Sequence, residues 1–458
     1  MSQIYLPMGR SIGLKLIVVC ALVLLMAIPL LFISKTSFER AGRADEVARE
    51  VAGRYGGEQI LTGPILVVPY TQSDQDGHIK ESGEYVVFAE TGQIETRDFA
   101  TTLVKRSLFK VPTYKSSFAL RASFDISNLE DELPDDLTIQ WDNARILLSV
   151  SDASGLRDDI IAKISNGETL KFTPARAGTR SMISQVKSKD YLHNTTTLAG
   201  YASGRFMEIR PKSLGDGQFT ITSEVKLNGT RNIGFSAFAK STKIALVSDW
   251  PHPGFNGRFA PDSREITEDG FRAQWSVPFL ARGIAAHGKA SEMDFRAFNN
   301  SHMGVGLINP VDPYQKINRA LKYAVMFIGL VFLTYFLFET LVGVRVHAAQ
   351  YILIGLAQSI FYLLLLAFSE HIGFSLAFVL AAGATVGLTA LYAGAVFGAR
   401  KYAAQAGLVF MLVYGLLYTL MKLQDFALMV GALASFTAIA GTMYFTRNVD
   451  WYGGNKTP

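Results

Sequence analysis

The chain has 458 residues, with 44 Lys+Arg against 39 Asp+Glu, and its net charge of +5 is too small and too dispersed to argue for nucleic-acid binding. Charged residues make up only 18%, and the deficit is local: residues 321–458 hold 7 Lys+Arg and 4 Asp+Glu, against 37 and 35 before them. A mostly polar body joined to an oily C-terminal third argues against a wholly soluble enzyme, a disordered chain and a disulfide-stapled secreted module.

Residues 16–33 (LIVVCALVLLMAIPLLFI) are apolar throughout, with Lys15 at their edge. Eighteen such residues can cross the hydrocarbon core at about 1.5 Å each. A cleaved signal peptide would carry a shorter apolar stretch ending in small residues, so this run reads as a retained anchor. Cys20 lacks the small residues that precede a lipoprotein cleavage site and reads as a buried apolar thiol. Five more runs follow, at about 323–342, 351–368, 374–398, 402–421 and 426–446. Each is long enough to span, and together they predict six transmembrane helices.

The positive-inside rule then sets an orientation. Arg10 and Lys15 precede the first span, Arg345 lies between the second and third, Arg400 and Lys401 between the fourth and fifth, and Arg447 after the sixth. The alternate loops carry only Ser369-Glu370-His371 and Lys422 beside Asp425. Both termini are therefore expected in the cytoplasm and residues 36–320 outside it. Gly383-x-x-x-Gly387, Gly394-x-x-x-Gly398 and Gly431-x-x-x-Ser435 read as contacts within one bundle, because small residues four apart let helices approach.

Between the first two spans the period changes. Residues 36–56 carry opposite charges at i,i+4 (Glu39/Arg43, Asp45/Arg49, Glu50/Arg54), the spacing of a polar helix, which Gly56-Gly57 should end. Beyond it, Phe118, Leu120, Ala122, Phe124 and Ile126 alternate with polar residues, as do Phe219 to Leu227 and Phe271 to Val277; 64–70, 84–89, 145–150 and 243–248 are shorter strand candidates. Asn228-Gly229 reads as a hairpin turn. One-sided alternation predicts antiparallel, sandwich-like sheets, with a subdomain break at Lys187–Gly200. The domain plan is thus 1–35 (cytoplasmic N-terminus and first span), 36–320 (β-rich outer domain), 321–446 (five spans) and 447–458 (tail).

Catalytic and metal-binding patterns are missing from the sequence: no His-Glu-x-x-His, Cys-x-x-Cys, phosphate-binding loop or Gly-x-Ser-x-Gly elbow, and seven histidines without ligand spacing. No cofactor, metal or catalytic residue is expected. Trp250-Pro-His-Pro-Gly-Phe255 reads first as a strand-ending turn with buried aromatics and second as a recognition loop presenting Trp250 and His252. Ser151-Asp-Ala-Ser-Gly155 reads as a turn. Ionisable residues at the membrane mark candidate sites. Glu339 sits near the cytoplasmic end of the second span, with Arg345 or interfacial water as its partner, and Glu370 and His371 sit at the outer end of the third. None lies at mid-membrane, which weakens a transport path.

Taken in order, several stretches resemble the CreD family of bacterial inner-membrane proteins. They are Leu61-Thr-Gly-Pro-Ile-Leu-Val-Val-Pro69, Ser151–Gly155, Trp250–Phe255, Gly270-Phe-Arg-Ala-Gln-Trp275, Asp312-Pro-Tyr-Gln315, Phe336-Leu-Phe-Glu-Thr340, Phe361–His371 and Thr446-Arg-Asn-Val-Asp-Trp-Tyr452. The resemblance implies a Gram-negative inner membrane, a periplasmic domain, and a link to envelope stress through a sensor-kinase system, β-lactam response and colicin tolerance. It implies no catalytic residues.

The sequence-level expectation is a six-span helical bundle carrying a large periplasmic β-rich domain. The protein would be a non-enzymatic envelope-integrity component in contact with membrane lipid, whose outer domain binds or senses an envelope ligand or protein partner. The candidate binding residues are Trp250, His252, Glu339, Arg345, Glu370 and His371. A transporter or channel for an envelope solute, with Glu339, Glu370 and His371 lining its path, is the alternative. A hydrolase or transferase at the outer leaflet would need an acid/base pair that the sequence does not display.

Overall fold

A computed structural model describes residues 12–175, 205–215, 217–308, 313–422 and 427–447. The break expected at Lys187–Gly200 lies outside the described residues, as do Arg10 and Asp425. The chain forms two compact units, Met1–Asp45 with Val311–Pro458, and Glu46–Pro310.

The first apolar run is helical on both sides of one irregularity: α1 spans Ile12–Leu25 and α2 spans Ala27–Tyr55. The interruption at Met26 has a local cause. Pro29 has no N–H for the Leu25 carbonyl and its ring crowds that group; one turn earlier the Met26 amide is shared between the carbonyls of Leu22 and Val23, at 3.1 and 3.2 Å. The polar second half of α2 matches the charge spacing. Glu50 pairs with Arg54 at 3.0 Å, while Glu39 takes Lys35 instead, and the helix stops at Tyr55, immediately before Gly56.

The unit Glu46–Pro310 is a large, nearly barrel-shaped antiparallel sheet body. Two sheets share one long strand, Ile79–Arg106. Its first part pairs with Gln59–Ser73 and with His287–Lys289. From Ala89 onward it pairs with Ala239–Ser248, and from Thr91 with Phe109–Asp125. Among the described residues the pattern is antiparallel except for two parallel contacts, Gln59–Leu61 with Ile233–Phe235 and Ala89–Glu95 with Ala239–Ala245. Each predicted strand is present. The alternation does what it predicted: Phe118, Leu120, Ala122 and Phe124 are buried, as are Phe271, Ala273, Trp275 and Val277, in one continuous core. Two short helices, α3 (Phe279–Arg282) and α4 (Phe295–Asn300), lie in the connections.

Asn228-Gly229 is not a turn. The strand runs through to Thr230, with Asn228 and Gly229 opposite Lys115 and Tyr114, and the backbone turns at Arg231 (φ 59°). The glycine is there for space: a Cβ on it would meet the Tyr114 hydroxyl at 2.2 Å.

In the other unit, α5 (Pro313–Val342), α6 (Ala348–Ile372), α7 (Phe374–Val396), α8 (Arg400–Lys422) and α9 (Ala427–Thr446) complete six helical stretches long and apolar enough to cross a membrane. Short connections make α6, α7 and α8 neighbours in sequence and space. Gly373, at φ 79°, turns the chain between α6 and α7, a conformation that side-chain-bearing residues rarely adopt. His347 caps α6: its ring accepts from the Ala349 amide at 3.2 Å while Gln350 Oε1 accepts from the His347 amide. Small residues serve close packing at two places. A Cβ on Gly355 would sit 2.5 Å from Met26 Sδ, and one on Gly394 2.8 Å from Ala403 Cβ. A Cβ on Gly383, Gly387 or Gly431 would meet open space; within these motifs the interhelical contacts are made by Gly394 against Ala403 and by Ser435 against Met326 at 3.2 Å. Cys20 is exposed on α1, because the packed face of that helix is the one bearing Val19 and Met26.

Candidate functional site

Strand register assembles a polar face that sequence spacing does not advertise. Tyr70 lies opposite Gly83 and Gln72 opposite Glu81, while Tyr85 lies opposite Lys289 and Val87 opposite His287. Directly opposed residues share a sheet face, so Tyr70, Gln72, Glu81, Tyr85, His287 and Lys289 project to one side. There, Lys289 Nζ donates to Gln72 Oε1 at 2.6 Å and to Glu81 Oε2 at 3.0 Å, and sits 5.3 Å from the centre of the Tyr70 ring. The Tyr70 hydroxyl donates to Glu81 Oε1 at 2.8 Å. Beside it a second chain runs from Tyr85 OH to His287 Nδ1 (2.8 Å) and from His287 Nε2 to Glu132 Oε2 (3.0 Å). The two rings Tyr70 and Tyr85 meet edge to face at 6.5 Å. The tyrosine bodies are buried, His287 is about a quarter exposed (26%) and Glu132 is open. The result is a rim, a partly open face that presents the His287 ring, the edge of the Lys289 amine and the Glu81 and Glu132 carboxylates above a floor of buried tyrosine. Such a surface can hold the sugar hydroxyls, amines and carboxylates of a polar ligand.

Electrostatics tune this rim. Hydrogen bonds from Lys289 and then Tyr70 hold Glu81 below the usual carboxylate range, and the bond to Glu81 holds Lys289 above the usual lysine range. Burial raises the Tyr70 and Tyr85 phenols, with nearby carboxylates adding to it. Glu81 thus contributes stability above its unfolded pKa that is lost as pH falls through its lowered folded value. Lys289 contributes stability below its unfolded pKa that is lost as pH rises through its raised folded value. Lys289→Met is expected to lower the thermal midpoint at neutral pH. That difference from wild type should shrink as the pH is lowered through the carboxylate range, in a pH series of melting curves.

On the reverse side of the same sheet Arg145 pairs with Glu84 and lies 3.7 Å from Glu208, which also holds Arg210 at 3.0 Å. Elsewhere in the body, Arg282 is fully buried. It donates to the carbonyls of Ile284 and Ala285 at 3.2 and 2.8 Å and stacks 4.1 Å from the centre of Phe88, while its Nε and Nη1 have no acceptor. Burial pulls this guanidinium down to about 10. Arg282→Met, which keeps the bulk and removes the buried charge, is expected to hold or raise the thermal midpoint. Arg282→Ala, which opens a cavity beside Phe88, should lower stability by about 2 kcal/mol.

The residues singled out in the sequence fall elsewhere. Trp250 is buried, and its Nε1 donates to the carbonyls of His252 and Ile308, both at 3.1 Å. His252 supplies that carbonyl and exposes its ring. This is the strand-ending turn, with Trp250 as its anchor. Glu339 is buried at the end of α5. Its partners are Lys15 of α1, the Val346 amide at 2.8 Å and the Tyr351 hydroxyl at 3.1 Å, and Lys15 also reaches the Val346 carbonyl at 2.9 Å. Arg345, the partner considered from sequence, is exposed and is not among these contacts. Glu370 accepts from the Tyr314 hydroxyl at 2.9 Å and lies 3.8 Å from Arg40 Nε. His371 is exposed beside it. Glu339 and Tyr351 mark the α5–α6 turn, whereas Glu370 and Tyr314 mark the far ends of the same antiparallel helices. The acidic residues therefore form two separate clamps, Glu339 on Lys15 of α1 and Glu370 on Arg40 of α2.

The exposed turn of Asp74, Asp76 and His78 brings three ligand-type atoms within 4.8 Å. Asp74 Oδ1 already accepts from the Asp76 and His78 amides, the bonding of an ordinary turn.

The family model described as Inner membrane protein CreD matches residues 11–452. Inner membrane protein CreD of Escherichia coli (strain K12) is 30% identical over 436 residues, covering 94% of this chain and 91% of its own length. The chain belongs to the CreD family. It is an inner membrane protein, in keeping with its six apolar helices, and the resemblance read from its motifs is borne out.

Among the motifs that carried the CreD resemblance, Ser151–Gly155 is a joint of the sheet body. In Ser151–Gly155, the Asp152 carboxylate accepts from the Gly57 amide at 2.8 Å and the Ser154 amide at 2.9 Å. Ser151 Oγ accepts from the Ile60 amide and donates to the Glu58 carbonyl. Fully buried Gln59 closes the knot: its amide nitrogen donates to the carbonyls of Asp152 (2.9 Å) and Asn228 (3.3 Å), and its Oε1 accepts from the Asp152 amide. This CreD-family segment, with Gln59, satisfies backbone groups where three chain stretches meet. The rim of Tyr70, Tyr85, His287 and Lys289 escaped sequence reading because it depends on the pairing of three strands far apart in the chain. The local trace is i,i+2 spacing in Tyr70/Gln72 and His287/Lys289, with Glu81 and Tyr85 four apart on the same strand face.

Proposed function

We propose that this CreD-family protein acts in envelope integrity without catalysis, and that its sheet body binds a polar envelope component at the Tyr70–Tyr85–His287–Lys289 rim. The observation that carries this reading is the convergence of two aromatic–polar networks from three strands on one partly open face. In this reading the exposed parts of Glu81, Glu132 and His287 meet the ligand, and the buried Tyr70 and Tyr85 hold them in place. In this reading both termini are cytoplasmic and residues 36–320 are periplasmic. Lys15 contacts Val346, which supports placing the start of α1 at the same end as Arg345. Short loops decide orientation, since a long outer segment crosses regardless of its charge. The separation of Glu339 from Glu370, each in its own clamp, favours an anchoring bundle over a transport path.

Deleting the gene and challenging cells with detergent or a β-lactam tests the proposal. Increased susceptibility, restored by the wild-type gene and not by a Tyr85→Phe/Lys289→Met gene expressed to the same level, is the expected result. Unchanged susceptibility across conditions, or full rescue by the variant, contradicts it.

A further inference from the structure

Inside the bundle, α5, α6 and α8 enclose a small cavity lined by Phe327, Val331, Leu417 and three polar side chains, Gln358, Tyr362 and Tyr414. Gln358 lies near the middle of α6 and is 4% exposed. The Tyr414 hydroxyl donates to Gln358 Oε1 at 2.6 Å. The amide nitrogen of Gln358, with two N–H groups, has no acceptor among the described residues. A buried donor without an acceptor is expensive, and more so where lipid replaces water around the bundle. Turning the amide over would give Tyr414 a donor and leave the carbonyl facing the cavity, so one polar atom of Gln358 lacks a partner in either orientation.

We propose that this cavity is a binding site for a single water molecule, held by Gln358 at mid-depth in the bundle. Size and chemistry both select water. The space open to the centre of a water-sized sphere is about 10 Å³, roughly one such sphere, which excludes any larger ligand. The lining carries no carboxylate and no basic group, so it cannot compensate a dehydrated ion. The unpartnered Gln358 amide offers a neutral water its hydrogen bonds, and the Tyr414 hydroxyl oxygen, which donates its own proton to Gln358, keeps lone pairs that can accept from that water. The role that follows is structural: Gln358 and Tyr414 fix α6 against α8, and the water completes the bonding of the amide that links them.

The test is a high-resolution experimental map of the full chain in lipid nanodiscs, with a matching data set under xenon, which enters dry apolar cavities and not hydrated ones. The expected result is a water peak within hydrogen-bond distance of the Gln358 amide and no xenon. Gln358→Leu should abolish the peak, and Tyr414→Phe, which keeps the amide and the cavity, should retain it. Should Gln358→Leu fail to fold, Tyr414→Phe and wild type still decide the matter. Xenon in the wild-type cavity, no density at all, or a peak that survives Gln358→Leu overturns the proposal.

Discussion

Gly155→Ala is expected to destabilise the sheet body by about 3 kcal/mol. Its Cβ would lie 2.3 Å from the Asn228 carbonyl oxygen and 2.5 Å from Gln59 Nε2. A flexible side-chain tip could move aside. Here one obstacle is backbone within a paired strand, and the other is a buried amide already bonded to Asp152 and Asn228. Relieving the clash therefore breaks the knot that joins residues 57–60, 151–155 and 228–230. Tryptophan fluorescence reports this region well, since Trp141, Trp250 and Trp275 all lie in the sheet body. A melting curve of the purified protein should show the loss for Gly155→Ala and almost none for Ser154→Ala, whose side chain is exposed. Equal midpoints for the two variants would remove the knot from the account.

Lys15→Met is the second large effect, expected to cost the membrane unit about 2 kcal/mol. Removing one partner of a buried ion pair leaves the other charge without compensation, and Glu339 is nearly buried, with 9% of its side chain exposed. The figure is set below that for a fully buried pair because Lys15 keeps 34% of its side-chain exposure and can be partly replaced by water. Adding Glu339→Gln to Lys15→Met should recover more than half of the loss, since the amide oxygen can still accept from the Val346 amide while its NH2 donates to the Tyr351 hydroxyl oxygen. Arg345→Ala should change nothing measurable. Thermal unfolding in nanodiscs separates these outcomes, and a larger loss for Arg345→Ala than for Lys15→Met would restore the pairing suggested by sequence proximity.

How far the sequence could be read follows from the range of each interaction. The spans were legible because hydrocarbon imposes one rule on every residue of a crossing helix. The strands were legible where one face is wet and the other buried, as in Phe118 to Ile126. The Trp250 turn was legible because prolines and glycine punctuate locally. Asn228-Gly229 misled for the same local reason: the dipeptide has hairpin chemistry, yet Tyr114 from a partner strand required the glycine. The clamps and the rim were not legible at all. Lys15 meets Glu339 across 324 residues and His287 meets Glu132 across 155, and no spacing rule spans such distances. The Cys20 expectation failed because periodicity in α1 is too weak to say which face of an all-apolar helix is packed; Val19 turns inward and its neighbour outward.

The central claim is that the rim of Tyr70, Tyr85, His287 and Lys289 binds an envelope component. Thermal unfolding of the full chain in nanodiscs, measured with muropeptides, soluble lipid headgroups and β-lactams in turn, tests it most directly, since a ligand that binds only the folded state raises the midpoint. The account predicts that one of these classes raises the tryptophan-reported midpoint of the wild type in a concentration-dependent way and leaves Tyr85→Phe/Lys289→Met unmoved. An equal shift in wild type and variant, or no shift with any class, would contradict it.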